Sequence, residues 1–267
     1  MKAIELDELK QLQLQILKTV ADFCEKNGIN YWLDSGTLIG AVRHKGYIPW
    51  DDDIDIGMLR PDYDKFLALF NTANNRYKAY SIENNEDFLY PFCKVLDTST
   101  VLYEPDEKGL KLCVNIDVFV YDNAPTDKDE LKKMYKNRDL YRGLHNTRTR
   151  MFTGFTTGFK RVVKWLMYPF LCLFPRNYFC KKMINNSKKY CDKDTDYIGN
   201  FTDVVEVLCS KELFKDFVYL EFEGQKFKAP VGYDKWLRAL YGDYMQLPPE
   251  EQRKSRHTFK AYFLDNE

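Results

Sequence analysis

Asp53 and Asp55, in the run Trp50-Asp51-Asp52-Asp53-Ile54-Asp55-Ile56, are the residues of this chain whose types and spacing best fit chemistry. From Asp53 the order is acid, apolar, acid, apolar, the period of two that a β-strand imposes. Both carboxylates therefore leave one face while Ile54 and Ile56 point into the core. Like charges held this close repel, and a hard divalent cation with oxygen ligands relieves them most directly; Mg²⁺ is the expected ion, with Mn²⁺ as its substitute. Acidic runs are ordinarily solvated loops, but Trp50 before the run and the isoleucines inside it argue for a strand. An EF-hand fails: Asp51, Asp53 and Asp55 fit its first three ligand positions, yet the glycine comes one residue late at Gly57 and no glutamate closes the loop.

Other chemistry-bearing residues flank the acids. Ser35-Gly36-Thr37, after Asp34, separates the strand-like stretch Ile29 to Leu33 from the helix-compatible TLIGAVR, and a small-residue turn there lets backbone N–H groups approach a phosphate. Arg43, His44 and Lys45 form a basic triplet between that turn and the acids. It reads either as a solvated loop or as a contact for a diphosphate donor. Asp117 lies within the apolar strand LCVNIDVFV, and a buried acid must be paired, hydrogen-bonded or metal-bound. Lys94, in FCKVLD, fits a phosphate contact or a lysine at a strand edge equally well.

The segment LDSGTLIGAVRHKGYIPWDDDIDIGM, followed by RPDYDKF, resembles the signature of the LicD family, the bacterial phosphocholine transferases related to fukutin and fukutin-related protein. The resemblance runs from about Asn30 to Asp122 and, more loosely, from Gly224 to Pro249. It implies an α+β, nucleotidyltransferase-like fold of the DNA polymerase β superfamily: a mixed sheet flanked by helices, with a GS or GT turn, a strand bearing two acids, and a third acid on a neighbouring strand. It implies Asp53, Asp55 and Asp117 as catalytic and metal-binding residues, and Asp34, Ser35, Gly36, Thr37 and Lys94 as donor-binding ones, to which Arg43, His44 and Lys45 are added by their position. The family more often has proline where this chain has Val120.

The implied reaction is metal-dependent transfer of a substituted phosphate, phosphocholine or similar, from a CDP-linked donor to a hydroxyl of a cell-surface glycan, releasing CMP. The acceptor is of lipopolysaccharide, capsule or teichoic acid type. A quaternary ammonium head group would want an aromatic cage, for which Trp32, Tyr47, Trp50, Tyr90 and Tyr103 are candidates. Two alternatives stand beside this reading: a glycosyltransferase holding a nucleotide sugar with the same two acids, and a catalytically silent binding protein on the same fold.

The elements that must position these groups follow from periodicity. Glu5 to Lys26 reads as an amphipathic helix stopped by Gly28, and Pro61 opens another with Tyr63, Phe66, Leu67 and Phe70 as its buried stripe. Several strand-like runs fill Tyr77 to Val120, and Asp127 to Leu140 reads as a polar helix. VYLEFEGQKFKAP reads as a hairpin turning near Glu223 to Gln225, followed by a helix from Tyr233 to Gly242. The 267 residues contain 45% hydrophobic side chains and no linker, so a single domain is expected: a core of about 28–125 and 210–257 with a helical insertion at about 127–200.

Charge and cysteine content bound the function. Lys plus Arg and Asp plus Glu both number 40, and no nucleic-acid surface is indicated. Seven scattered cysteines without a CxxC pair suggest reduced thiols and a cytoplasmic protein. A zinc site from Cys172, Cys180, Cys191 and Cys209 has spacings unlike the common ribbons, and MKAIELDELK lacks the apolar core of a signal peptide. Between Arg142 and Lys182, Arg148, Arg150, Lys160, Arg161, Lys164, Arg176 and Lys181 surround the apolar run WLMYPFLCLF. The run is too short to span a bilayer and is interrupted by Pro169, so 159–182 suits peripheral contact with the inner face of the cytoplasmic membrane, where a lipid-linked glycan acceptor would reside. An ordinary buried helix pair is the competing reading.

Overall fold

The computed structural model describes residues 1–103, 112–149, 158–254 and 260–264; Arg150 and the side chain of Lys160 lie outside the described residues. The order is β1 (Ala3–Ile4), α1 (Leu6–Asn27), β2 (Trp32–Leu33), α2 (Ser35–Arg43), β3 (Asp55–Leu59), α3 (Arg60–Ala73), β4 (Tyr77–Tyr80), β5 (Cys93–Asp97), β6 (Thr100–Tyr103), β7 (Asn115–Ala124), α4 (Lys128–Thr149), α5 (Phe159–Leu171), α6 (Tyr178–Ser187), β8 (Tyr197–Asn200), β9 (Val207–Ser210), β10 (Phe217–Phe222), β11 (Gln225–Pro230), α7 (Tyr233–Tyr241) and β12 (Lys260–Phe263). The fold is a mixed α+β arrangement, as expected. Its main sheet runs β2-β3-β7-β5-β4, with β8 on the far end of β7 and β9 beyond it, while β1, β12 and β6 form a smaller sheet.

The pair β3 and β7 is parallel and the other pairings in the main sheet are antiparallel. Parallel neighbours need a long crossover, and here α3 starts it. Pro61 sits in the first turn of α3, where its missing N–H costs nothing, and Tyr63, Phe66, Leu67 and Phe70 are buried as read. Helix α1 lays Leu9, Leu12, Ile16, Leu17, Val20 and Cys24 into the same core. It ends at Gly28 in the left-handed region, with the Gly28 N–H bonded to the last turn.

Three boundaries differ from the sequence reading. The β3 ladder begins at Asp55, so Asp53 stands on its approach. Helix α2 begins at Ser35, because Asp34 caps it; the small residues are its first turn instead of a loop before it. Helix α4 continues to Thr149, past the expected end at Leu140. The hairpin is as read: Glu223 and Gly224 both have positive φ (50° and 71°), the geometry of a tight turn between right-twisted strands.

Gly57 shows why the short strand β2 can lie against β3. A Cβ there would come within 2.5 Å of the Trp32 indole, and Trp32 is fully buried against Tyr121, Phe214 and Trp236. The indole cannot swing away. Gly57→Ala is therefore expected to cost ~2 kcal/mol by overpacking, read as a lowered urea midpoint with an unchanged slope. A neutral effect would show that β2 yields.

Candidate active site

Register brings the acids together. In the parallel pair Asp55 lies directly opposite Asp117. In the antiparallel pair on the other side of β7, Lys94 lies opposite the same Asp117. Directly opposed residues share a face of the sheet, so β3, β7 and β5 present acid, acid and lysine in a row. The Asp117 N–H donates to the Ile54 carbonyl at 2.9 Å, which carries the pairing one residue before β3 and fixes where Asp53 emerges. Ile54 and Ile56 are fully buried, and Asp53 and Asp55, which alternate with them, are partly exposed, the alternation read from the sequence.

Lys94 is the partner that Asp117 required. Its Nζ lies 2.6 Å from Asp117 Oδ1 and 3.2 Å from Asn115 Oδ1, with the rings of Tyr90 and Phe92 at 5.0 and 5.4 Å. Strand β5 is flanked on both sides, by β7 and β4, so Lys94 is not at a strand edge.

The acidic run before β3 folds back on itself, with the Asp51 N–H donating to the Ile48 carbonyl at 2.8 Å. One carboxylate oxygen from each of Asp51, Asp52 and Asp53 lies within 4.8 Å of the others, the sole group of this kind among the described residues; the expected trio Asp53, Asp55 and Asp117 is not drawn together to that spacing, and Asp53 is the residue the two sets share. The cysteines form no such group there. Gln13 from α1 donates to the Asp52 carbonyl at 3.0 Å and accepts from the Tyr47 hydroxyl at 3.1 Å, which holds the run from behind. A Cβ on Gly36 would meet Asp51 Oδ2 at 2.5 Å. That glycine is what allows a carboxylate to approach the first turn of α2.

Asp34 and Thr37 lock this first turn to β3. The Asp34 N–H donates to the Asp55 carbonyl at 3.0 Å, and the Asp55 N–H donates to Thr37 Oγ1 at 2.8 Å. Asp34 Oδ1 accepts from the Ser35 N–H at 2.6 Å, and Oδ2 accepts from the Tyr121 hydroxyl at 2.8 Å. Burial pushes the Asp34 carboxyl up to about 7 against the pull of those two bonds. Ser35 takes φ +46°, a left-handed backbone unusual for a residue with a side chain.

The basic triplet is dispersed. Arg43 donates through Nη1 to the Tyr244 carbonyl at 2.6 Å, and its Nε donates to His44 Nε2 at 2.9 Å, so the guanidinium ties α2 to the segment after α7. Lys45 is exposed at φ +61°, its carbonyl accepting the Glu223 N–H at 2.8 Å. Of the cage candidates, Trp32 is core, Tyr47 packs on Phe222, and Tyr103 packs on Tyr262. Trp50 and Tyr90 already lie under the cations of Arg253 and Lys94.

Two residues join the site that the sequence did not suggest. Asp203, whose N–H is held by Asn200 Oδ1 at 3.1 Å, lies near enough that its charge raises both Asp34 and Asp117. Tyr241, the last residue of α7, is 42% exposed, with its hydroxyl on the inner side near Ser35; desolvation of that hydroxyl and the charges of Asp34, Asp55 and Asp203 push it up to about 12. No spacing rule links them to the acidic run, because both arrive from the far end of the chain.

The electrostatics describe a centre short of positive charge. Asp55 is held well above the ordinary carboxylate range by burial and then by Asp53, Asp117, Asp34 and Asp51. Asp117 is raised by burial, opposed by Lys94, and pushed further by Asp53 and Asp203. The donor set is carboxylate oxygen throughout, which suits a hard cation such as Mg²⁺ or Mn²⁺ and not a thiophilic one.

A family model described as "LicD/FKTN/FKRP, nucleotidyltransferase domain" matches residues 28–159, the span that contains Asp34, Asp53, Asp55, Lys94 and Asp117. The chain is 34% identical to "Lipopolysaccharide cholinephosphotransferase LicD" of Haemophilus influenzae over 276 aligned positions, covering 99% of this chain and 100% of that protein. Shorter similarity joins it to the human "Ribitol 5-phosphate transferase FKRP", 46% identical over 43 residues, 16% of this chain and 9% of that one. The human "Ribitol-5-phosphate transferase FKTN" is 30% identical over 66 residues, 25% of this chain and 14% of that one.

Proposed function

The chain belongs to the LicD family and is a LicD-type phosphotransferase, and from that premise we propose that it moves phosphocholine or a similar substituted phosphate from a CDP-linked donor to a hydroxyl of a cell-surface glycan, releasing CMP. The observation that carries the reading is the row Asp55, Asp117, Lys94 across three strands, set beside the amino end of α2. A Mg²⁺ or Mn²⁺ held by Asp53, Asp55 and Asp117 would neutralise the diphosphate and orient it for in-line attack.

The residues account for the rest. The amino end of α2, with first-turn N–H groups and the positive end of the helix dipole, favours the donor's phosphate oxygens. The acceptor oxygen attacks the phosphorus bearing the head group, and the bond to the CMP oxygen breaks. Asp117, paired with the Lys94 ammonium, either completes the metal site or takes the proton released by the acceptor hydroxyl. Lys94 keeps it oriented. The glycosyltransferase alternative is disfavoured by the similarity to a cholinephosphotransferase over 99% of this chain.

The test is release of CMP from a panel of CDP-linked donors, among them CDP-choline, CDP-ribitol and CDP-glycerol, with nucleotide sugars as controls. Activity is expected with a CDP-linked donor, lost with a chelator and restored by Mg²⁺ or Mn²⁺. Turnover of nucleotide sugars alone, or restoration by Zn²⁺ alone, overturns the reading.

A further inference from the structure

Helix α5 carries its apolar face on the outside. Phe159, Val162, Leu166 and Phe170 follow the 3-4-4 spacing that places residues on one side of a helix, and they are 81%, 54%, 59% and 70% exposed. Leu173, just past the helix end, extends the strip at 80%, and Trp165 flanks it at 66%. Leu171 is the one residue of the helix that is buried among those described, so the buried-pair reading does not hold for α5. Scattered surface apolar residues are ordinary; a continuous strip of large ones marks a contact surface.

Charge says what covers it. Between residues 159 and 182 stand six Lys or Arg and no Asp or Glu, in a chain whose net charge is 0. Arg161, on α5 itself, and Lys182, on α6, are exposed. A second copy of the chain, docked strip to strip, would set these cations against each other. Trp165 stands at the margin of the strip, the position in which tryptophan favours the level of lipid headgroups. The helix has 13 residues, ~20 Å at 1.5 Å each, and no helix among the described residues is long and apolar enough to cross a membrane.

We propose that α5 lies in the plane of an anionic lipid surface, the strip Phe159, Val162, Leu166, Phe170 and Leu173 entering the acyl boundary and the surrounding cations meeting the headgroups. Two weak signals, apolar and electrostatic, act together, so attachment is reversible. The assignment rests on α5 alone and stands whatever donor the catalytic centre uses.

Flotation of the full chain with vesicles tests it, using phosphatidylglycerol mixed with phosphatidylcholine against phosphatidylcholine alone. Flotation is expected with the anionic vesicles at low salt and release at high salt. Each of Arg161→Gln and Lys182→Gln should weaken it about fivefold, and Leu166→Gln with Phe170→Gln should abolish it, leaving CMP release from a soluble donor unchanged. Tryptophan emission should shift to the blue on binding and Trp165→Phe should remove the shift, since Trp32 and Trp236 are already buried and Trp50 is half-buried. Absence from the anionic vesicles at low salt, equal binding to neutral ones, or a dimer in solution that the Leu166 and Phe170 changes dissolve would each overturn the proposal.

Discussion

Asp53→Asn and Asp55→Asn are each expected to lower CMP release by on the order of 10³-fold or more while leaving the metal-free protein folded and, if anything, more stable. The two halves have one cause. Asp55 is raised by burial and by four neighbouring acids, so in the absence of a cation the cluster opposes folding, and one fewer charge relieves it. The substitution spares the local frame, because the bonds that fix Asp55 run through its backbone, from its N–H to Thr37 and from the Asp34 N–H to its carbonyl. A divalent cation should stabilise the parent protein and stabilise the variants less, since binding to the native state alone adds to stability. The checks are initial rates with Mg²⁺ supplied and urea midpoints in chelator and in Mg²⁺. Full activity in either variant, or a drop of stability in chelator, removes these carboxylates from the catalytic role.

What could be read from the chain without coordinates divides along physical lines. Asp53 and Asp55 were legible because a period of two is a local signal, and Ile54 and Ile56 are buried as that period requires. The hairpin at Glu223-Gly224 and the helices opened by Pro61 and closed by Gly28 and Gly242 were legible for the same reason. Lys94 was ambiguous, because whether a lysine is at an edge depends on strand order, a long-range property; the pairing of β5 with both β4 and β7 decides it. Asp203 and Tyr241 were silent, because what gives them meaning is the return of distant chain to Asp34 and Ser35. Arg43 shows a long-range tie of the same kind: its Nη1 donates to the Tyr244 and Gln246 carbonyls, 201 and 203 residues on, which its place beside the acidic run did not reveal. The apolar run near Trp165 was legible as composition, but which way its face points is set by packing.

Lys94→Met is expected to do what no change at an exposed ion pair would do: destabilise the metal-free protein by ~3 kcal/mol or more and lower transfer by about 10²-fold or more. Lys94 and Asp117 are 10% and 20% exposed at the side chain and 2.6 Å apart, and removing one member of such a pair strands the other charge in a site that already holds Asp53 and Asp55. Asp117 is raised above its ordinary value even with Lys94 present, which lowers it; without the ammonium it rises further. The sign of the pH dependence follows. An acid whose folded pKa exceeds its unfolded value binds more protons in the native state, so stability falls as pH rises from about 4, the unfolded aspartate value, through the raised folded one. In Lys94→Met that decline should be steeper and extend to higher pH, with the variant closest to the parent in acid. Adding Asp117→Asn should return most of the lost stability, since no charge is left unpaired, and should return none of the activity. Urea midpoints across this double-mutant cycle at acid and neutral pH, beside rates for the four proteins, separate the terms. If the single and double variants are equally unstable, Lys94 contributes packing against Tyr90 and Phe92 instead of charge, and its pairing with Asp117 is incidental to the site.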